Sequence, residues 1–212
     1  MIGRLKTFIF FLAITSSLSA FMQAEKGIDC PFQEALIEFK AGYFNFFDSK
    51  LRKIYNRGGF DAQISLSYPL GGGQDCPLSF SAYGAIEYYR KSGQSLDAHQ
   101  KTSIWSIPVN LGLKTFLNLH TCLDAYFTLG PRYFFIKQHN HSSYVNKNRS
   151  RNGIGFFANT GFIYRLSHRI WLDTFAEYSY GKIRFKANRA STYSRRVQVS
   201  GYTIGLGLGV GF

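Results

Sequence analysis

The chain reads as an all-β fold: an eight-stranded antiparallel up-and-down barrel that crosses a membrane, with short turns at one end and long loops at the other. Three observations predict it. Large apolar side chains recur at every second residue in eight segments, and the connections between those segments alternate short and long. The N-terminus carries an export signal, yet no later stretch offers the ~18 uninterrupted apolar residues of a transmembrane helix. An exported chain that enters a membrane without such a helix must close its strands into a barrel, because lipid leaves no other way to satisfy the backbone.

The elements follow in order. Residues 1–24 form the expected signal peptide: Arg4 and Lys6, a short apolar run from Phe8 to Ile14, then Ser16, Ser17, Ser19 and Ala20. Cleavage after 19, 20 or 24 fits the small residues there. Residues 25–34 are read as a periplasmic N-terminal segment and 35–212 as the barrel.

The first strand sets Ile37, Phe39, Ala41 and Tyr43 against Glu38, Lys40 and Gly42. In the second, Phe60, Ile64, Leu66 and Tyr68 alternate with Asp61, Gln63, Ser65 and Ser67. The third opposes Leu78, Phe80, Ile86 and Tyr88 to Ser81, Tyr83, Glu87 and Tyr89. The fourth opposes Trp105, Ile107, Val109, Leu111 and Leu113 to Ser106, Pro108, Asn110 and Lys114. The fifth runs from Leu123 to Gly130, the sixth from Ile154 to Arg165 and the seventh from Ile170 to Tyr180. The turns Gly71 to Pro77, Asn118 to Thr121 and Ser167 to Arg169 are short. The loops around Phe47–Gly59, Arg90–Thr102, Lys137–Asn152 and Arg184–Gln198 are long. Short periplasmic turns and long extracellular loops are the habit of outer-membrane barrels. A soluble eight-stranded barrel would put the apolar residues inside instead, and alternation alone does not tell the two apart. The export signal, the loop asymmetry and the terminal strand favour the membrane.

In that last strand Tyr202, Ile204, Leu206, Leu208, Val210 and Phe212 alternate with Thr203 and four glycines. The glycine face suits a crowded barrel interior. The pattern, closing on Phe212, resembles the terminal strand of bacterial outer-membrane β-barrels. Over its mature length the chain is similar in architecture to the small eight-stranded proteins of the OmpX, OmpA-transmembrane and OmpW type. The resemblance implies that these six outward residues are read by the barrel-assembly machinery. It further implies residence among outer-membrane lipids and lipopolysaccharide, and a role in envelope structure or surface recognition carried by the loops.

Charge falls in two places. The polar face of the strands holds Glu38, Lys40, Glu87, Lys114, Asp124, Arg165, Asp173 and Glu177, a mixed-sign set. Eight strands enclose only enough room for side chains, so these charges should pair into a lumen network, since an unpaired buried charge is costly. The formal charge is +13, or +11 without Arg4 and Lys6, and its positive excess gathers instead in the long loops. There Arg52, Lys53, Arg57, Lys147, Arg149, Arg151, Arg189, Arg195 and Arg196 are candidate anion-binding residues, against Asp48 and Asp97. Such a field draws in polyanions, and Arg suits bidentate phosphate contacts. Lipopolysaccharide and host or other surface polyanions are the expected partners. Nucleic acid is not, because the location does not supply it.

Two other functions compete with surface recognition. An OmpW-like narrow channel for small apolar molecules would need an apolar lumen, for which Tyr83, Tyr89, Tyr126, Phe157 and Phe175 are inward candidates. Some outer-membrane barrels modify lipid A, and the spacing of His141 and Ser143 resembles that chemistry superficially, with no acid nearby in sequence to orient the histidine. No enzyme, cofactor or metal is expected. Of the three cysteines, Cys30 and Cys76 precede strands in similar tetrapeptides. A Cys30–Cys76 bridge would leave Cys122 for an intermolecular bond, and three reduced thiols are equally allowed.

Overall fold

The computed structural model describes residues 34–55, 58–71, 78–94, 101–140, 148–185 and 195–212. They form β1 (Leu36–Phe46), α1 (Ser49–Ile54), β2 (Gly58–Gly71), β3 (Leu78–Gln94), β4 (Lys101–His120), β5 (Leu123–Asn140), β6 (Asn148–Arg165), β7 (Ile170–Phe185), β8 (Arg195–Gln198) and β9 (Gly201–Gly211). Strands β1 to β7 each pair antiparallel with the next. β9 pairs with both β7 and β1, and β8 prolongs the pairing with β7. Strands β8 and β9 are thus two parts of one barrel strand, interrupted at Val199 and Ser200. The sheet closes around eight strands, all antiparallel, and the pairing of β9 with β1 seals it.

The two faces of every strand go where a membrane barrel needs them. Phe39 is 59% exposed and Ile154 72%, whereas Glu38 and Lys114 are fully buried at 0%. The apolar set therefore faces out and the charged set faces in, the reverse of a soluble barrel. On β3 the outward apolar run extends from Leu78 to Tyr88. Ten steps of ~3.3 Å, tilted by about 40°, climb about 25 Å, the height of a lipid-facing apolar band. On the last strand the outward residues from Tyr202 to Phe212 cover the same ten steps. Aromatic residues then ring the upper margin. Phe47 stacks near Tyr178 and Tyr202, Phe156 near Tyr178 and Tyr180, and Tyr133 near Phe135. Such girdles mark the membrane–water interface.

The turns at the lower end are tight. Thr121 and Cys122 join β4 to β5, and the Ser167 hydroxyl accepts hydrogen bonds from Ile170 N (3.2 Å) and Arg169 N (3.4 Å) between β6 and β7. Ala35 and Phe212 exchange two backbone bonds of 3.1 and 3.0 Å, so both ends of the barrel chain lie on this side.

Two expectations about the upper end need correction. The segments read as long loops from Arg90, Lys137 and Arg184 begin as strand. β3 continues to Gln94, β5 to Asn140 and β7 to Phe185, while β4 and β6 start at Lys101 and Asn148. Above the bilayer both faces meet water, so hydropathy stops alternating although the backbone ladder goes on. The first loop also contains α1, where the sequence pattern predicts only loop. Asp48 caps it, its Oδ1 accepting from Leu51 N at 3.1 Å.

Candidate functional site

The lumen is filled in layers. Nearest the short turns, Arg165 pairs with Asp124 at 3.2 Å and lies over the Trp171 ring. Above it, four charges meet. Lys114 Nζ donates to both Glu38 oxygens at 3.0 and 2.9 Å, and Lys40 lies 2.7 Å from Asp173 and 3.4 Å from Glu38. Ser65 donates to Glu38 at 3.0 Å, and the Tyr126 hydroxyl donates to Asp173 at 3.1 Å. The Lys114 ammonium also sits 4.3 Å from the Tyr126 ring centre, a desolvated cation–π contact. These bonds run from β1 to β4 and to β7, between strands that are not neighbours, and so brace the barrel across its axis.

The third layer is built on Arg132 of β5, which bonds Glu87 of β3 on one side and Glu177 of β7 on the other. Asn110 donates to Glu87 and Asn159 to Glu177 at 3.4 Å. The sequence reading missed Arg132, because the alternation followed on β5 ended at Gly130. The parity was available: Asp124, Tyr126, Thr128 and Gly130 continue to Arg132. The expected network thus forms as three ion-pair clusters, the upper two linked through Tyr126 and Asn159, and the third is centred on a residue outside the expected set. Asp61, also buried, stands beside this layer with its Oδ1 unpartnered among the described residues.

Above Arg132 the inward face turns apolar. Phe44, Phe46, Tyr55, Tyr89, Ile104, Phe134, Ile136 and Val199 pack together, and Leu51 and Ile54 of α1 close over them. The helix is therefore a cap folded into the barrel mouth. Between this cap and the Arg132 layer remains a cavity of about 20 Å³, lined among others by Asp61, Glu87, Tyr89, Arg132 and Phe134. That is room for about one water molecule. The inward aromatics Tyr83, Tyr89, Tyr126, Phe157 and Phe175 are all buried, and they fill the lumen instead of lining a passage.

At the outer end the basic residues stand apart. Arg52 and Lys53 are exposed on α1, and Arg151 on β6 is half-buried on the lumen side of the rim. Arg149, Arg195 and Arg196 belong to strands, but their side chains, like all of Arg57, Lys147 and Arg189, lie outside the described residues. So do residues 1–33, Cys76, His141 and Ser143, and with them the signal peptide, the Cys30–Cys76 pair and the histidine–serine spacing. Cys122 is buried and forms no disulfide among the described residues. No group of metal-ligating side chains occurs among the described residues. The six outward residues of the last strand, Tyr202, Ile204, Leu206, Leu208, Val210 and Phe212, are all exposed.

The closed sheet with its apolar exterior finds counterparts among solved structures. The outer-membrane protein OprG of Pseudomonas aeruginosa is 13% identical and covers 88% of this chain and 99% of its own, with a TM-score of 0.61. This is the fold of the small eight-stranded outer-membrane β-barrels. Neisserial surface protein A, 17% identical, covers 84% of this chain and 97% of its own at a TM-score of 0.53. The attachment invasion locus protein Ail of Yersinia pestis, solved with the heparin analogue sucrose octasulfate, is 15% identical, covers 84% and 98%, and gives 0.53. No family model matches the sequence, and no curated protein matches it. Outer-membrane barrels of this kind put short turns in the periplasm and long loops outside. The chain is a multi-pass β-barrel of the outer membrane, with the α1 cap and the basic rim at the end opposite the short turns.

Proposed function

We propose that this outer-membrane barrel recognises anionic polymers at the cell surface through its basic rim, the polymers being lipopolysaccharide or sulfated glycans. The carrying observation is the filled lumen. With ion pairs below, an apolar plug above and room for about one water between them, the barrel offers little path for a solute. A narrow channel for apolar molecules is correspondingly disfavoured. What the outer end presents is cationic: Arg52 and Lys53 on a helix pinned by its own packing, with Arg151 at the rim. Asp48, the acid nearest to them in sequence, is engaged in capping α1. Guanidinium groups on a rigid support bind phosphate or sulfate with little ordering cost. The sulfated ligand held by the Yersinia barrel of the same fold lends support by analogy. The reading is of a binding protein without catalytic activity.

The test is salt-dependent binding of heparin to the refolded barrel in zwitterionic detergent. Neutralising Arg52, Lys53, Arg149, Arg151, Arg195 and Arg196 to glutamine should weaken binding by well over tenfold at low salt. A variant that binds as the parent does at low salt would end the proposal.

A further inference from the structure

The two-residue period of a strand divides the basic residues of the outer end into sets that face opposite ways. Lys91 and Arg151 point towards the mouth, as their half-buried positions beside inward Tyr89 and Ile136 require. Arg90 and Lys137 have the other parity and stand exposed on the outer wall. Register joins them: Arg90 of β3 is the cross-strand partner of Trp105 of β4, and Trp105 is the partner of Lys137 of β5. The three make one row across three adjacent strands, cation, indole, cation, with the outer backbones about 10 Å apart at two interstrand spacings.

Contacts fix the row on the outside. The Trp105 ring meets outward Tyr88 edge-on at 6.3 Å between centroids, and Lys137 Nζ lies 5.2 Å from the Trp105 ring centre. Two residues below the row on each strand come Tyr88, Ile107 and Phe135, the upper margin of the apolar band. The row is therefore about two residue steps above the hydrocarbon, at the depth of lipid headgroups. Neither Arg90 nor Lys137 has a carboxylate partner among the described residues. Cations at this depth are drawn to anionic headgroups, and a guanidinium and an ammonium flanking a flat indole match a phosphate beside a sugar ring.

We propose that Arg90, Trp105 and Lys137 form a ledge for the phosphorylated headgroup of an outer-leaflet glycolipid whose acyl chains lie along the apolar wall below. This site is distinct from the mouth. A soluble polyanion reaches the mouth from water, whereas the ledge faces the bilayer and takes a ligand anchored in it. It does not depend on polymer recognition by the mouth residues, and either can fail without the other.

The chain contains two tryptophans, and Trp171 is buried in the lumen against Arg165. The W171F barrel therefore reports on Trp105 alone. In phosphatidylcholine nanodiscs doped with diphosphoryl lipid A, its emission should shift and saturate, and dephosphorylated lipid A should leave it unmoved. The R90Q/K137Q double variant should need at least tenfold more lipid A for the same shift, while binding heparin as before. Inorganic phosphate at millimolar concentration should have no effect. If W171F does not fold, the wild-type difference spectrum serves, since Trp171 is shielded from lipid. Equal responses to the two lipids, an unaltered titration for R90Q/K137Q, or the same shift with inorganic phosphate would each overturn the ledge. Loss of heparin binding with the lipid response intact would instead strike only the mouth.

Discussion

The lumen and the rim use the same side chains to opposite ends. In the lumen Lys40, Lys114, Arg132 and Arg165 each touch a carboxylate and are sealed from solvent. At the rim Arg52, Lys53, Arg90 and Lys137 are exposed without an acidic partner among the described residues. Net charge therefore says little about where function lies: each inner cation is paired locally with a carboxylate, and the exposed excess collects at the outer end. The comparison also separates their energetics. Breaking a buried pair leaves a stranded charge, whereas removing an exposed one barely affects folding.

The largest effect expected is at Arg132. Arg132→Ala strands Glu87 and Glu177 together and should cost about 3–5 kcal/mol, read as a lower urea midpoint for loss of heat-modifiable migration on gels. Next comes the two-member Asp124–Arg165 pair. Asp124→Ala should cost about 3 kcal/mol, and Asp124→Leu with Arg165→Leu should recover most of it. Failure of the double variant to recover would show that the pair contributes more than mutual neutralisation. A smaller loss follows from filling the glycine face. A Cβ at Gly205 would lie 2.8 Å from Phe175 Cε1, and one at Gly207 2.9 Å from Lys40 Cγ. Gly207→Val should destabilise by about 1–3 kcal/mol through overpacking, measured by the same unfolding assay. Smallest is the rim. Arg52→Gln with Lys53→Gln should move stability by less than about 0.5 kcal/mol while lowering heparin affinity several-fold. A large stability change there would erase the distinction between the two regions.

The sheet was legible where its two faces meet different media. Between Leu78 and Tyr88, or Tyr202 and Phe212, one face meets lipid and the other a polar lumen, and the alternation is plain. It fades where the faces become alike. Around Tyr133 to Ile136 both sides are apolar, because Phe134 and Ile136 enter the plug while Tyr133 and Phe135 meet the interface. Further up, Arg90 to Gln94 is polar on both sides, so a strand there looks like loop in sequence. Arg132 was lost at the first of these transitions, next to Pro131. The cap α1 left a signal that went unused: Asp48 before Leu51, Ile54 and Tyr55 is a capped turn with one apolar face. Which basic residues face the bilayer and which the mouth needed the register, since the sequence places Arg90 and Lys91 side by side.

The last strand has a bearing on the order of construction. Every residue of the three ion-pair clusters belongs to β1 through β7, and β9 presents only glycines and Thr203 to the interior. Its eleven register pairs with β1 can therefore form without inserting a bulky or charged group into the lumen. Closing the cylinder and wiring its interior are chemically separate events. The final strand can act as a zip that passes over contents already in place.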